Sequence, residues 1–182
     1  LKTYAIIPVK SFSKAKTRLN IPQIKRELLC KEMLEEVLKT LSKCKSIDNI
    51  VIVSKDDAAI KLGKSFGAMQ IFDDELGVNQ AVHLADQYLS DLECSCSVIF
   101  PQDIPMMESS DIDNLLGFLK SKNSVILVPS RQFNGTNALV RYHASSMKTQ
   151  YDKGSYSYQL NAAKSVTQKV SLALIRRVML DI

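Results

Sequence analysis

Short, nearly unbroken apolar runs alternate along this chain with stretches whose apolar residues recur every three to five positions. "YAIIPV" at 4–9 reads as a buried strand, and "PQIKRELLCKEMLEEVLKTLSKC" at 22–44 as a helix. In that helix Ile24, Leu28, Met33, Val37 and Leu41 are expected to share the apolar face, and Pro22 suits the first turn. "NIVIVS" at 49–54 is a buried-type strand, and "DDAAIKLGKSFG" at 56–67 a helix with an acidic start and a glycine end. The alternation continues with a strand in "AMQIF" (68–72), a helix in "VNQAVHLADQYLSDL" (78–92) and a strand in "CSVIFP" (96–101). A helix in "SDIDNLLGFLKSK" (110–122), opening on Ser110, then leads to a strand in "SVILVPS" (124–130). Strand and helix alternating in this way predict a mostly parallel sheet covered on both faces, an α/β fold.

The last third changes character. "TNALVRYH" at 136–143 alternates like a strand, "SYSYQLNAAKSV" at 155–166 reads as a short helix, and "KVSLALI" (169–175) and "VMLDI" (178–182) read as strands. No low-complexity run or linker divides the chain, so residues 1–182 are expected to form one domain. No apolar run approaches the roughly 20 residues of a membrane span, and the first residues carry no signal-peptide pattern.

Ligands of open α/β sheets bind beyond the carboxyl ends of the strands. That directs attention to 10–20, 54–57, 73–79, 101–109 and 130–136. The first strand runs into "IIPVKSFSKAKTRL", with Lys10, Lys14, Lys16 and Arg18 and no glycine. Phosphate loops usually carry glycines so that backbone N–H groups can approach the anion. This loop is therefore either a phosphate site built from side chains or a solvated basic surface.

"FPQDIPM" holds Asp103 between two prolines. A lone carboxylate at a strand end suits Mg²⁺ against nucleotide phosphates, and equally suits a turn. "RQFNGTNAL" places the tight-turn pair Asn134-Gly135 before Thr136 and Asn137, whose side chains can bond an anion. "YDKGSYSYQL" puts Gly154-Ser155 at a helix start, a cap or an anion site. Asn79 near another helix start is either a cap or a polar reader of base or ribose.

The net charge of +5 suits an anionic ligand. The cations are scattered apart from the loop and Arg176-Arg177, and no aromatics interleave them, so nucleic acid is not the expected partner. Cys30, Cys44, Cys94 and Cys96 lack zinc spacing and read as free thiols of a reducing cytoplasm. Cys94 and Cys96 are expected on one side of an extended segment, and Cys30 on an apolar helix face. His83 and His143 have no serine or cysteine partner, so no hydrolytic triad is expected.

Taken together and in order, "IPVKSFSKAKTRL", "GVNQAV", "QDIP", "NGTNAL", "GSYSYQLNAA" and a terminal "LDI" resemble the 2-phospho-L-lactate guanylyltransferase family. That family serves deazaflavin coenzyme biosynthesis. The resemblance implies a Rossmann-like three-layer sandwich with a mostly parallel, mixed central sheet, of the nucleotide-diphospho-sugar-transferase type. It implies GMP transfer from GTP to 2-phospho-L-lactate or a close phospho-acid, with release of pyrophosphate and with Mg²⁺ as cofactor.

By the same resemblance Lys16 and Arg18, backed by Lys10 and Lys14, meet the triphosphate, and the guanine is read near Asn79. Asp103 becomes a metal ligand and a catalytic residue with Lys16 and Arg18. Thr136, Asn137 and Ser155, with the peptide groups of Asp152 to Gly154, form the acid clamp. Two departures stand out. Many members have glycine where this chain has Asp152. Relatives also continue past the terminal motif with a second metal aspartate, so either Asp181 serves or a ligand lies beyond Ile182.

The partners expected are thus GTP and a small phosphorylated carboxylic acid, with no membrane; a homodimer stays open. The alternatives are a nucleotidyltransferase with another acceptor, a nucleic-acid binder, and a non-catalytic nucleotide-binding or receiver-like module. A receiver needs an acidic first strand end, and this one is basic.

Overall fold

The computed structural model describes residues 1–151 and 154–182. A seven-stranded sheet forms the middle layer: β1 (Thr3–Val9), β2 (Asn49–Ser54), β3 (Met69–Phe72), β4 (Cys96–Ile99), β5 (Val125–Pro129), β6 (Thr136–Tyr142) and β7 (Val170–Leu172). Their spatial order is β3-β2-β1-β4-β6-β5-β7. β1 pairs in parallel with β2 and β4, β2 with β3, and β5 with β7, while β6 is antiparallel to both its neighbours. The expected mostly parallel, mixed sheet is present.

Alternation along β1 decides which helices cover which face. Ala5, Ile7 and Val9 pack with α1 (Gln23–Leu41), α2 (Asp57–Ser65) and α4 (Ser109–Gly117). Tyr4 and Ile6 pack on the opposite face with α3 (Val78–Ser90) and Ala163 of α5 (Ser155–Val166). Asp56 caps α2, its carboxylate accepting from the Ala58 and Ala59 N–H groups. α4 opens on Glu108 in a capping box with Asp111, two residues earlier than Ser110 suggests.

Three sequence expectations are corrected. The buried stripe of α1 is Cys30, Met33, Leu34, Val37, Leu38 and Leu41. Ile24 and Leu28 are 82% and 55% exposed, because the first turns of the helix lie outside the buried stripe. Residues 178–182 do not form a strand: the chain turns at 176–179, where Met179 N–H donates to Ile175 O. The two arginines interrupt the apolar run there, and Arg177 leaves to pair with Asp111 at 2.8 Å. Finally, the turn at 91–93 sends Cys94 and Cys96 to opposite faces. Cys30 is buried as expected, and all four cysteines are free thiols. Burial pushes Cys44 and Cys96 up to about 12 and Cys94 up to about 11, which leaves them protonated and unreactive. No helix among the described residues is long and apolar enough to cross a membrane.

One buried charge ties the two halves of the sheet together. Arg141 of β6 is fully buried and forks onto both carboxylate oxygens of Asp86 on α3, at 2.6 and 2.8 Å. It also donates to Ser97 Oγ of β4 and to Met147 O. α3 carries the Gly77–Asn79 segment at its start and β6 carries Thr136 at its start. This pair therefore fixes the two sides of the cleft described next.

Candidate active site

A cleft of about 870 Å³ opens at the carboxyl ends of β1, β3 and β4 and at the start of β6. Lys10, Lys14, Lys16 and Arg18 line it, with Asp103, Thr136, Asp73 and Glu75. Six of the sequence-selected residues thus meet in one place, although they lie up to 126 positions apart (136 − 10). They converge because parallel strands deliver their following loops to one edge. β6 runs the other way, so it presents its first residue there rather than its last.

The basic loop is built, not merely solvated. A short 3-10 turn at Phe12–Lys14 buries Phe12. The Phe12 N–H donates to Asp56 Oδ2 at 2.9 Å, so the carboxylate that caps α2 also anchors this turn. Glu75 reaches across from the loop after β3 and accepts from the Ser11 N–H at 2.5 Å and from Lys14 Nζ at 2.7 Å. The Lys14 ammonium and the Ser11 N–H hold the Glu75 carboxyl down at about 2. Lys16 has a φ of +53°, which turns its side chain off the regular path.

Lys16 Nζ meets Asp103 Oδ2 at 2.5 Å and also donates to the main-chain oxygen of Ile182. Lys16 and Asp103 side chains are 21% and 22% exposed, so the pair is partly shielded but open to the cleft. Arg18 is exposed on the cleft wall. On the far side Thr136 and Ser155 are both buried, and Ser155 Oγ donates to Thr136 Oγ1 at 3.2 Å. Gly154 caps α5 with a φ of +74°, a left-handed conformation that favours glycine.

Not every selected residue faces the cleft. Asn137 is 4% exposed, and its Nδ2 donates to Val178 O and to Asp181 Oδ1. It fastens the terminal segment, whose Ile182 lines the cleft, but Asn137 itself is not among the lining residues. Asp181 is held by that same bond. Asn79 Oδ1 accepts from the Tyr151 N–H at 2.8 Å and so joins α3 to the chain leading into α5. It does not cap the helix, since the N-cap is Gly77, whose φ of +120° suits glycine alone. Asp152 lies outside the described residues. Asn134-Gly135 does not form a two-residue hairpin. The β5–β6 connection spans 130–135, with Phe133 at φ +55° and Ser130 Oγ accepting from the Gly135 N–H.

Sequence reasoning missed Asp56, Asp73, Glu75, Gln102 and Tyr151. The "FDDELG" run after the third strand was the available signal for Asp73 and Glu75. The Glu75 partners Ser11 and Lys14 lie 64 and 61 positions away, too far to be read from spacing.

No three His, Cys, Asp or Glu side chains among the described residues gather into a ready metal cage. Mg²⁺ does not need one, since it is commonly held by one or two carboxylates, waters and substrate phosphates. Asp103 supplies one carboxylate that already meets a cation, the Lys16 ammonium. That donor set fits a Mg²⁺ arriving with a nucleotide.

Comparison with known proteins bears on the fold and the family. A solved protein of Desulfovibrio desulfuricans G20, described as a nucleotide-diphospho-sugar transferase, superposes with a TM-score of 0.74. It is 15% identical and the match covers 94% of this chain and 79% of that one, which speaks for the fold. A phosphoenolpyruvate guanylyltransferase of Conexibacter woesei is 30% identical over 186 residues, covering 100% of this chain and 83% of that protein. A 2-phospho-L-lactate guanylyltransferase of Methanothermobacter thermautotrophicus is 31% identical over 176 residues, covering 94% and 76%. Residues 3–177 match the family described as "Guanylyl transferase CofC like". With the basic loop, the Asp103 strand end and Thr136, bonded to the buried Ser155, at one cleft of a nucleotidyltransferase fold, the chain belongs to that family.

Proposed function

We propose that this nucleotidyltransferase moves GMP from GTP to the phosphate of a small phospho-acid, phosphoenolpyruvate or 2-phospho-L-lactate, releasing pyrophosphate. Its product would feed assembly of a deazaflavin coenzyme, as the sequence resemblance implies. The observation that carries this reading is the polarity of the cleft. Four cations line the loop after β1, one carboxylate stands at the end of β4, and two hydroxyls sit at the start of β6 and α5.

The acceptor phosphate is mostly dianionic at neutral pH, with a second pKa near ~6. It attacks without a general base. His83 and His143, both exposed, do not line the cleft. The obstacle is repulsion between an anion and the α-phosphate of a tetra-anionic nucleotide. Catalysis is then charge neutralisation and in-line positioning. Lys16 and Arg18 take the β- and γ-phosphates and stabilise the departing pyrophosphate. Lys10 and Lys14 hold the nucleotide from the rim of the loop. Thr136 and Ser155 hydroxyls and the first N–H groups of α5 orient the acid. Asp103, with the terminal Asp181 as a second candidate, would hold Mg²⁺, which would supply counter-charge for the phosphates.

The test is a pyrophosphate-release screen of GTP, ATP and CTP against phosphoenolpyruvate, 2-phospho-L-lactate and 3-phosphoglycerate with Mg²⁺. One acid with GTP should stand out by at least an order of magnitude. Turnover with none of the nine pairs, by folded protein, refutes the reading.

A further inference from the structure

We infer that Asp73 reads the Watson–Crick edge of the guanine, resting on the transferase reading above. The two walls of the cleft come from different elements. Asp103 and Thr136 mark the side where phosphates meet, and the basic loop lies in the middle. A third group of lining residues, Asp73, Glu75, Gly77, Val78 and Ala81, comes from the end of β3 and the start of α3. With the triphosphate over the loop and the acceptor at Thr136, the nucleoside is left with this end. Val78, 41% exposed, offers apolar surface for the flat of a base.

A carboxylate in a cleft that takes a polyanion needs a reason. Glu75 has one, since Lys14 and the Ser11 N–H occupy it. Asp74 is exposed and is not part of the lining. Asp73 is half-buried, and its Oδ1 is enclosed with no hydrogen-bond partner among the described residues. A turn of the carboxylate about Cβ–Cγ, short of a half-turn, is needed to bring this oxygen out beside its fellow, and a ligand with two adjacent donors would drive it. An enclosed, unmatched acceptor at a binding wall calls for a donor from the ligand. Its backbone is fixed at the end of β3, where the preceding Phe72 pairs with Ser54 of β2.

The base edges discriminate. Guanine presents two adjacent donors, N1–H and N2–H, which match the two oxygens of one carboxylate. Adenine and cytosine present one exocyclic donor beside a ring acceptor, and that acceptor would face the carboxylate's negative charge. A carboxylate therefore favours guanine by attraction and disfavours the others by repulsion. The ribose hydroxyls are the competing donors, and the experiment separates the two.

Wild type, Asp73→Asn and Asp74→Asn are compared with GTP, ITP, which lacks the 2-amino group, and 2′-deoxy-GTP. Binding is read by competition against a fluorescent GTP analogue, and transfer by pyrophosphate release, with thermal melts to confirm folding. Wild type should prefer GTP to ITP by roughly ten- to hundred-fold, the scale of a bidentate base contact. In Asp73→Asn, GTP should lose most of that factor and ITP less, so the ratio contracts at least about five-fold. The GTP to 2′-deoxy-GTP ratio should stay constant, and Asp74→Asn should match wild type. An unchanged GTP to ITP ratio in folded Asp73→Asn overturns the proposal, as does a change confined to the 2′-deoxy comparison. Selective GTP binding without transfer to any acid refutes the transferase reading instead and leaves the Asp73 contrast measurable; absence of GTP binding refutes both.

Discussion

Lys16 Nζ lies 2.5 Å from Oδ2 of Asp103, across 87 residues of sequence. The ammonium stands where a divalent cation is proposed to sit, and its own proposed ligand is the triphosphate. Binding of Mg-GTP would release Lys16 from Asp103, so that the carboxylate could hold the metal and the ammonium could meet the phosphates. The ion pair keeps both charges matched until the substrate arrives.

Asp103→Asn retains size and removes the charge. Turnover should fall by about two orders of magnitude or more, the scale for loss of a principal electrostatic group. Residual activity should need more Mg²⁺ or Mn²⁺. A metal titration of pyrophosphate release, with circular dichroism to confirm the fold, checks this. Wild-type rate and metal requirement in the folded variant would reduce Asp103 to a turn residue.

Lys16→Ala and Arg18→Ala should lower kcat/KM for GTP strongly, since loss of a desolvated charge contact costs on the order of 2–5 kcal/mol. Arg18→Ala should leave the melting temperature nearly unchanged, because its side chain is exposed. Unchanged GTP kinetics in both variants would return the loop to a solvated surface.

Thr136→Val and Ser155→Ala should raise the acceptor KM roughly ten- to hundred-fold, as expected for hydrogen bonds to a charged group. GTP affinity should hold. Equal damage to both substrates would mean that the pair only joins β6 to α5.

The strand ends and the loops after them were legible in the sequence because parallel strands announce their own termini. Lys10 directly follows the first apolar run, and Lys16 and Asp103 stand in the loops that leave β1 and β4, so position made them candidates. Glu75 was not legible: its partner Lys14 is 61 positions away, and only the adjacency of β1, β2 and β3 brings them together. Asn137 misled for the opposite reason. Its neighbours form a turn motif, yet its amide faces Val178 O and Asp181, 41 and 44 positions on. The same terminal segment read as a strand, since a short apolar stretch looks alike whether it pairs or turns inward like the fully buried Val178.

Glu75→Gln tests the scaffold of the basic loop through pH. Lys14 and the Ser11 N–H lower the Glu75 carboxyl from 4.5 to about 2 in the folded protein. A depressed carboxyl contributes stability that is present above the unfolded value and lost as pH falls through the folded one. Wild type should therefore exceed Glu75→Gln in urea midpoint at neutral pH, by a modest margin because Lys14 is 60% exposed. The gap should close between about pH 4.5 and pH 2. A gap independent of pH would mean that the carboxylate charge contributes nothing.

Asp86→Ala strands the fully buried Arg141 guanidinium. The expected cost is about 3–5 kcal/mol, a fall in Tm of roughly 10 °C. Adding Arg141→Met should recover much of the loss, because an apolar side chain needs no partner. A single-variant cost below about 1 kcal/mol would rule out a stabilising pair.

The reversed direction of β6 divides the molecule by task. On the proposed roles, the nucleotide is handled by loops that follow β1 and β3, whereas the acid is handled by one continuous stretch, from the β5–β6 loop through α5. Phe133 and Tyr156 lock the ends of that stretch edge-to-face, with ring centroids 5.6 Å apart. On that proposal, acceptor preference would be carried by an exchangeable cassette. Grafting residues 130–160 from a relative with a different phospho-acid should transplant that preference while the donor half stays as it is.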